Sequence, residues 1–413
     1  MANIDSKAAA SASGTADRAA SVQRPDQRLG RKYRFDDPNM DLFFVAALGW
    51  GRSGGLDVGE AFEIASHITD GDADSWIAAF EAQANLLNAQ ADLWAARGWQ
   101  RAAGEMRLKA FAAYRSAWQF AVPGESFNRL YALHGVAFAV AMRELAVPAT
   151  FLDVPYAGKA LPGVFLTNPR PDAPVVLVIG GADTCFEDLF LSIGRNLFDR
   201  GYSVAIADLP GQGATANDGL HWEAEAEQPI GAVIDVLINR FGAKAGRIAL
   251  VGMSLGGYFV TRAAGHDTRL ATVIASTPFP NPNELFALSV RAAIVDASRP
   301  VSSAAQRSYQ VALWKAGANN PAHFVAKTAG MVADPARVTL PFLSILGSGD
   351  SPVFTEQAKR WHSEIRSTRK SFVLLDATTG ADGHCQANNR LRLAQEVGGW
   401  LGEIFGEIRY QLP

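Results

Sequence analysis

Cysteine is scarce in this chain: Cys185 and Cys385 are the two among 413 residues. Two thiols cannot build a disulfide framework, and they fit a reducing compartment. Long apolar runs are missing too. No stretch approaches the ~18 consecutive apolar residues that a membrane-spanning helix needs. The N-terminal MANIDSKAAASASGTADRAAS has no continuous apolar segment of the secretory kind. The expectation is a soluble, cytoplasmic protein. An excess of charge is absent as well: 38 Lys and Arg against 41 Asp and Glu leave a net charge of −3. Neither nucleic acid nor an anionic membrane surface is therefore expected as a partner. No metal-ligand spacing, P-loop or dinucleotide fingerprint occurs, so no metal and no cofactor is expected. Residues 1–30 have almost no large apolar side chains to repay the entropy of ordering, and read as a flexible tail.

What is present divides the rest of the chain in two. Residues 31–147 carry helical periodicity. Val58, Ala61, Phe62, Ala65 and Ile68 recur at steps of three and four. Trp76, Phe80, Leu87, Ala91 and Trp94 form a second stripe, with Asp72 or Asp74 able to cap its helix. Two more helical stretches, Trp99–Phe120 and Glu125–Leu145, are separated by Pro123-Gly124. The aromatic residues here (Trp50, Trp76, Trp94, Trp99, Phe111, Tyr114, Trp118) could line a substrate pocket, and most of them read as bundle core. From residue 148 to 413 the style changes. A hairpin around Ala157-Gly158 is followed by short β-rich runs alternating with helical ones, the pattern of a mostly parallel, doubly wound sheet. Residues 280–338 interrupt it with helical segments and prolines, an insertion of the kind that covers an active site.

The stretch Arg247–Tyr258, RIALVGMSLGGY, is a short strand, a G-x-S-x-G turn and the start of a helix. That sequence of elements makes a nucleophile elbow around Ser254. A serine hydroxyl needs a base, and the base an orienting carboxylate. Of the histidines after the elbow, His384 lies in a loop between the last strand and the C-terminal helix, where the base belongs. His362 reads as a surface residue in a charged helix. Asp350, on the loop after an earlier strand, leaves room for a helix and a strand before His384; Asp376 and Asp382 do not. The oxyanion hole is assigned to the backbone N–H groups of Ala182, in the Gly180-Gly181-Ala182 turn, and of Leu255. Asp183 and Thr184 read as holding that turn, Asp208 as a loop organiser, and the cysteines as small fillers.

Eight segments carry a resemblance beyond these motifs: GGLDVGEAF, DGDADSW, KAFAAYRSAWQF, LPGVFL, IGGADT, ADLPGQG, GMSLGGYF and GADGHCQANN. Through them the sequence resembles a subgroup of α/β-hydrolases with an N-terminal helical cap. The subgroup includes fungal and bacterial polyketide-shortening hydrolases and the pseudooxynicotine hydrolase. The resemblance implies an α/β-hydrolase fold over residues 148–413 beneath an all-helical cap domain over residues 31–147. It also implies Ser254, Asp350 and His384 as catalytic triad and a homodimer. The implied reaction is hydrolysis of a carbon–carbon bond next to a ketone, in a small-molecule polyketide or aryl-ketone substrate. A carboxylesterase or acyltransferase would use the same triad and stands as the alternative. A silent binding protein of this fold is the third reading, and the intact Ser–Asp–His order argues against it.

Overall fold

Asp37 opens the first helix by accepting hydrogen bonds from the N–H groups of Asn39 and Met40, with Pro38 at the first helical position. The computed structural model describes Pro25, residues 27–295 and residues 300–406. Helix α1 spans Pro38–Gly49, α2 Val58–Ser66, α3 Ala73–Ala96, α4 Gln100–Ala117 and α5 Glu125–Glu144. Asp72 caps α3. The stripe expected on α2 is rotated. Its buried face is Ala61, Ile64 and Ala65, while Val58 and Phe62 are 66% and 46% exposed. This two-turn helix lies at the edge of the bundle, where Phe62 keeps an edge contact with Phe44. Trp94 likewise is only half-buried and leans on the exposed Trp99.

The sheet begins with the antiparallel hairpin β1 (Ala149–Tyr156) and β2 (Lys159–Leu166). It continues with β3 (Val175–Ile179), β4 (Ser203–Ala207), β5 (Ile248–Met253), β6 (Leu270–Ser276), β7 (Phe342–Gly347) and β8 (Lys370–Leu375). The order across the sheet is β1-β2-β4-β3-β5-β6-β7-β8, parallel from β4 onward. Strand β5 runs two residues further than the expected Arg247–Val251, through Gly252 and Met253. Between β3 and β4 the expected helix runs without interruption as α6 (Phe186–Leu189), a π-turn (Phe190–Gly194) and α7 (Arg195–Phe198). Helix α8 (Glu227–Phe241) precedes β5 and α9 (Gly256–Ala264) follows it. The insertion holds α10 (Pro282–Val295), α11 (Ser303–Lys315) and α12 (Pro321–Thr328). Helix α13 (Pro352–Glu364) joins β7 to β8, and α14 (Arg390–Phe405) closes the sheet.

Side chains on each strand alternate between two cores. Val175, Leu177 and Ile179 face one; Val176 and Val178 face the other, which runs without a break into the aromatic core of α1–α5. The helical region is therefore fused to one face of the sheet. The insertion docks on it as well: Ser303 Oγ accepts from Ala73 N–H at 2.9 Å, and Arg307 pairs with Asp74 at 2.7 Å. Most of the expected flexible tail lies outside the described residues, but Gln27–Gly30 correct its boundary. The Gln27 carbonyl accepts from Ser351 N–H at 3.0 Å and the Arg28 carbonyl from His384 N–H at 2.8 Å. Backbone pairing orders this segment together with Leu29, which packs against Leu42, Val45 and Ala387. Among the described residues no helix is long and apolar enough to cross a membrane.

The shared core predicts a shared fate. Trp76 is fully buried and donates from Nε1 to the Ser116 carbonyl at 2.7 Å. Trp76→Ala is expected to lose about 3–5 kcal/mol. Denaturant unfolding followed by far-UV circular dichroism should show helices and sheet melting in one transition at a lower midpoint; two separate transitions would contradict a fused core.

Candidate active site

Five strand ends converge on one edge of the sheet. The loops after β3, β5, β6, β7 and β8 supply Gly180–Thr184, Ser254, Thr277, Asp350 and His384 in turn, the edge where open α/β sheets place their sites. Ser254 sits at the turn from β5 into α9 with φ +56°, a left-handed conformation that a serine adopts only when its surroundings impose it. Glycine makes the turn possible. A Cβ on Gly256 would lie 2.4 Å from the Gly180 carbonyl oxygen, and one on Gly257 1.8 Å from that of Thr277. A Cβ on Gly252 would meet the Gly256 carbonyl oxygen at 2.3 Å. The backbone of the turn is held by Ser254 N–H, which donates to the Ser276 carbonyl at 2.8 Å. The N-terminus of α9 starts beside the hydroxyl, where its peptide dipoles favour negative charge.

The three residues expected to work together do meet. Ser254 Oγ is 2.9 Å from His384 Nε2, and His384 Nδ1 is 2.6 Å from Asp350 Oδ1. The other Asp350 oxygen accepts from Thr277 Oγ1 at 3.0 Å. Asp350 and His384 are almost fully buried. Burial alone would lower the His384 pKa, but the Asp350 carboxylate outweighs it and holds the imidazolium above its usual 6.5. His266, His323, His362, Asp376 and Asp382 do not line the cleft around Ser254. His362, expected on the surface, is half-buried against the Phe372 ring.

The loop after β3 approaches from the other side. Gly181 is the residue in closest range, since a Cβ there would lie 2.6 Å from Ser254 Cβ. Ala182 follows it, and Leu255 is the residue leading α9. The loop is clamped by residues that the sequence reading passed over. Gln212 Nε2, fully buried, donates to the Gly180 carbonyl at 2.6 Å and the Gly181 carbonyl at 3.1 Å. Lys315 reaches in from α11 to the Ala182 carbonyl at 2.7 Å, and Arg115 from α4 donates to that of Asp183. Thr184 Oγ1 donates to the Gly181 carbonyl at 3.2 Å as expected, whereas the Asp183 carboxylate turns to Arg28 at 3.6 Å. Gln212, accepting from Leu209 N–H at 2.8 Å, organises the loop assigned to Asp208; the carboxylate of Asp208 has no hydrogen-bond partner among the described residues. Burial, then the nearby Glu187, push the Asp208 pKa well up. Cys385 is more than a filler: its thiol donates to the Ser276 carbonyl at 2.8 Å and lies 3.0 Å from Ser254 N.

The cleft beside Ser254 is partly open to solvent. Trp50, Trp76, Phe43 and Leu42 give it apolar walls, while Arg28, Arg115 and Arg390 bring charge. Two of the aromatic residues read as bundle core thus face the cleft. Behind the loop after β3, His134, Cys185 and Glu187 bring donor atoms within 4.8 Å of one another, a set whose types suit a borderline metal ion. Their spacing in sequence hides the cluster, and none of the three lines the cleft. His134 Nε2 lies 3.3 Å from Glu187 Oε1.

A family model described as the alpha/beta hydrolase family matches residues 175–402, more than half of the chain. The chain belongs to that family. Among curated relatives, the hydrolyase poxO of Penicillium oxalicum is 30% identical over 252 residues, covering 57% of this chain and 59% of the relative. The 20-hydroxy-prefusarin hydrolase FUS2 of Gibberella moniliformis is 31% identical over 246 residues, covering 56% and 58%. The chain thus spans about three-fifths of the length of the curated relatives it matches. The solved structure of 2,6-dihydroxy-pseudo-oxynicotine hydrolase superposes with a TM-score of 0.69 at 19% identity, covering 87% of this chain and 97% of that one. At that identity the likeness speaks for the fold, including helices ahead of the sheet.

The raised His384 pKa has a sign that can be checked. Its stabilising pair with Asp350 is fully present below pH 6.5, where the unfolded imidazole would also be protonated, and is lost as pH rises through the higher folded value. The imidazole proton resonances of His384 should titrate with a midpoint above 6.5, and Asp350→Asn should move the midpoint down. A midpoint at or below 6.5 in the unaltered protein would contradict the pairing.

Proposed function

We propose that this alpha/beta hydrolase is a serine hydrolase cleaving the carbon–carbon bond next to a ketone in a polyketide or aryl-ketone substrate. The observation that carries the reading is the buried hydrogen-bonded line from Ser254 through His384 to Asp350, set in an apolar, aromatic-walled cleft. His384 Nε2 takes the Ser254 proton as Oγ forms a bond to the ketone carbon. The N–H groups of Ala182 and Leu255 receive the oxyanion, with Gln212 fixing the peptide that carries the first of them. The carbon–carbon bond then breaks, and its electron pair leaves as an enolate or carbanion that takes the proton from imidazolium Nε2. Water attacks the acyl-serine, gives a proton to His384, and releases an acid; the proton returns to Ser254. Such a carbanion departs when conjugation spreads its charge, which fits polyphenolic and polyketide chains.

The names of two similar proteins, a 20-hydroxy-prefusarin hydrolase and a 2,6-dihydroxy-pseudo-oxynicotine hydrolase, support a conjugated small-molecule substrate. The two free, buried cysteines support work in the reducing cytoplasm. The family likeness supports a homodimer.

Purified protein given one acyl group twice, in an aryl ester and in an aryl 1,3-diketone, tests the reading by mass spectrometry of products. Acid and shortened ketone are expected from the diketone, with turnover reduced by at least ~10³-fold in Ser254→Ala. Cleavage of the ester alone would make the protein a carboxylesterase. Undiminished diketone cleavage by Ser254→Ala would remove the serine from the mechanism.

A further inference from the structure

The charges lining the cleft do not balance. Arg28 lies 3.6 Å from Asp183, and Arg115 lies 2.6 Å from Asp188. Arg390, the first residue of α14, has no carboxylate within ion-pair distance among the described residues. Its Nη1 donates to the Cys385 carbonyl at 2.8 Å, one residue from His384, and its buried Nε has no hydrogen-bond partner. The stem packs on α1: a Cβ on Gly49 would lie 3.3 Å from Arg390 Cγ, next to Trp50. Three guanidinium groups therefore face two carboxylates in a largely apolar cleft. Burial lowers the Arg390 pKa, yet a guanidinium keeps its proton at neutral pH. Arg390 is partly buried and feels the Asp188 carboxylate only at a distance, and a cation so placed is costly unless something pairs with it.

We propose that Arg390 is a specificity-determining residue that holds a planar oxyanion of the substrate, a carboxylate or the enolate of an acidic 1,3-dicarbonyl. The guanidinium fork matches such a group in shape as well as charge. Its link to the Cys385 carbonyl sets this anchor on the loop of His384, so the anion and the scissile bond are held by neighbouring parts of one loop. Arg28 and Arg115, already matched by Asp183 and Asp188, do not carry the preference. The proposal builds on the serine-hydrolase reading for what is cut, but binding of the anion does not require Ser254.

Isothermal titration calorimetry on the full chain separates the two. The probes are 2-naphthoate and the enolate of 1,3-indandione, each set against neutral 2-naphthamide. At least one anion should bind roughly tenfold or more tighter than the amide, the scale of a charge-assisted hydrogen bond. The anion bound better identifies the source of the oxyanion. The preference should vanish in Arg390→Gln, return in part in Arg390→Lys, and persist in Arg28→Gln. Equal binding of all three probes to the unaltered protein overturns the proposal even if Arg390→Gln fails to fold. So does a preference that survives Arg390→Gln or follows Arg28. Labelling of Ser254 by a fluorophosphonate reports the serine reading independently.

Discussion

Backbone packed on backbone at the end of β5 is the constraint on which the rest depends. Gly256 lies so close to the Gly180 and Ile179 carbonyls, and Gly257 to that of Thr277, that no side chain fits at either position. That approach forces Ser254 into a left-handed conformation and aims its hydroxyl off the sheet edge. It also brings the loop after β3 against the serine, where Gly181 is again held to hydrogen in place of a side chain. Strand, turn and helix could form elsewhere in a protein of this composition. The glycine contacts with β3 and β6 turn them into a site.

The second level of organisation is electrostatic, and it ties the helices to the sheet. Arg115 from α4 and Lys315 from α11 each place a buried cation on a carbonyl of the loop after β3. Burial pulls the Lys315 pKa down, so its charge depends on the polar groups around it. The helical region is thus more than a cover. Its aromatic core continues into one sheet face, two of its tryptophans line the cleft, and one of its arginines clamps the loop. Residues 27–30 add a third tie, pairing their carbonyls with the loops of Asp350 and His384.

Some of this was legible in the residues. Ser254 stood out because a strand, a glycine-flanked serine and a helix occur in succession. His384 and Asp350 followed from their places after late strands, and the structure brings both to the serine. Gln212, Lys315, Arg115 and Arg390 were not legible. Each is an ordinary polar residue in a loop or helix, and what distinguishes it is a carbonyl or an unmatched charge supplied by a distant segment. The α2 stripe was misread for a related reason. Periodicity reports that a helix has an apolar side, but Val58 and Phe62 extend that side past the bundle edge.

By itself the sequence determined the alternation of strands and helices, the helical stretch ahead of them and the turn that carries Ser254. These depend on local rules, namely side-chain period, capping and the space that glycine leaves. Only the tertiary structure decided which cations hold the neighbouring loop and which arginine has no carboxylate partner. Those outcomes depend on distances of a few ångströms between segments far apart in the chain, and on burial that raises the cost of each unpaired charge. No local pattern encodes either quantity.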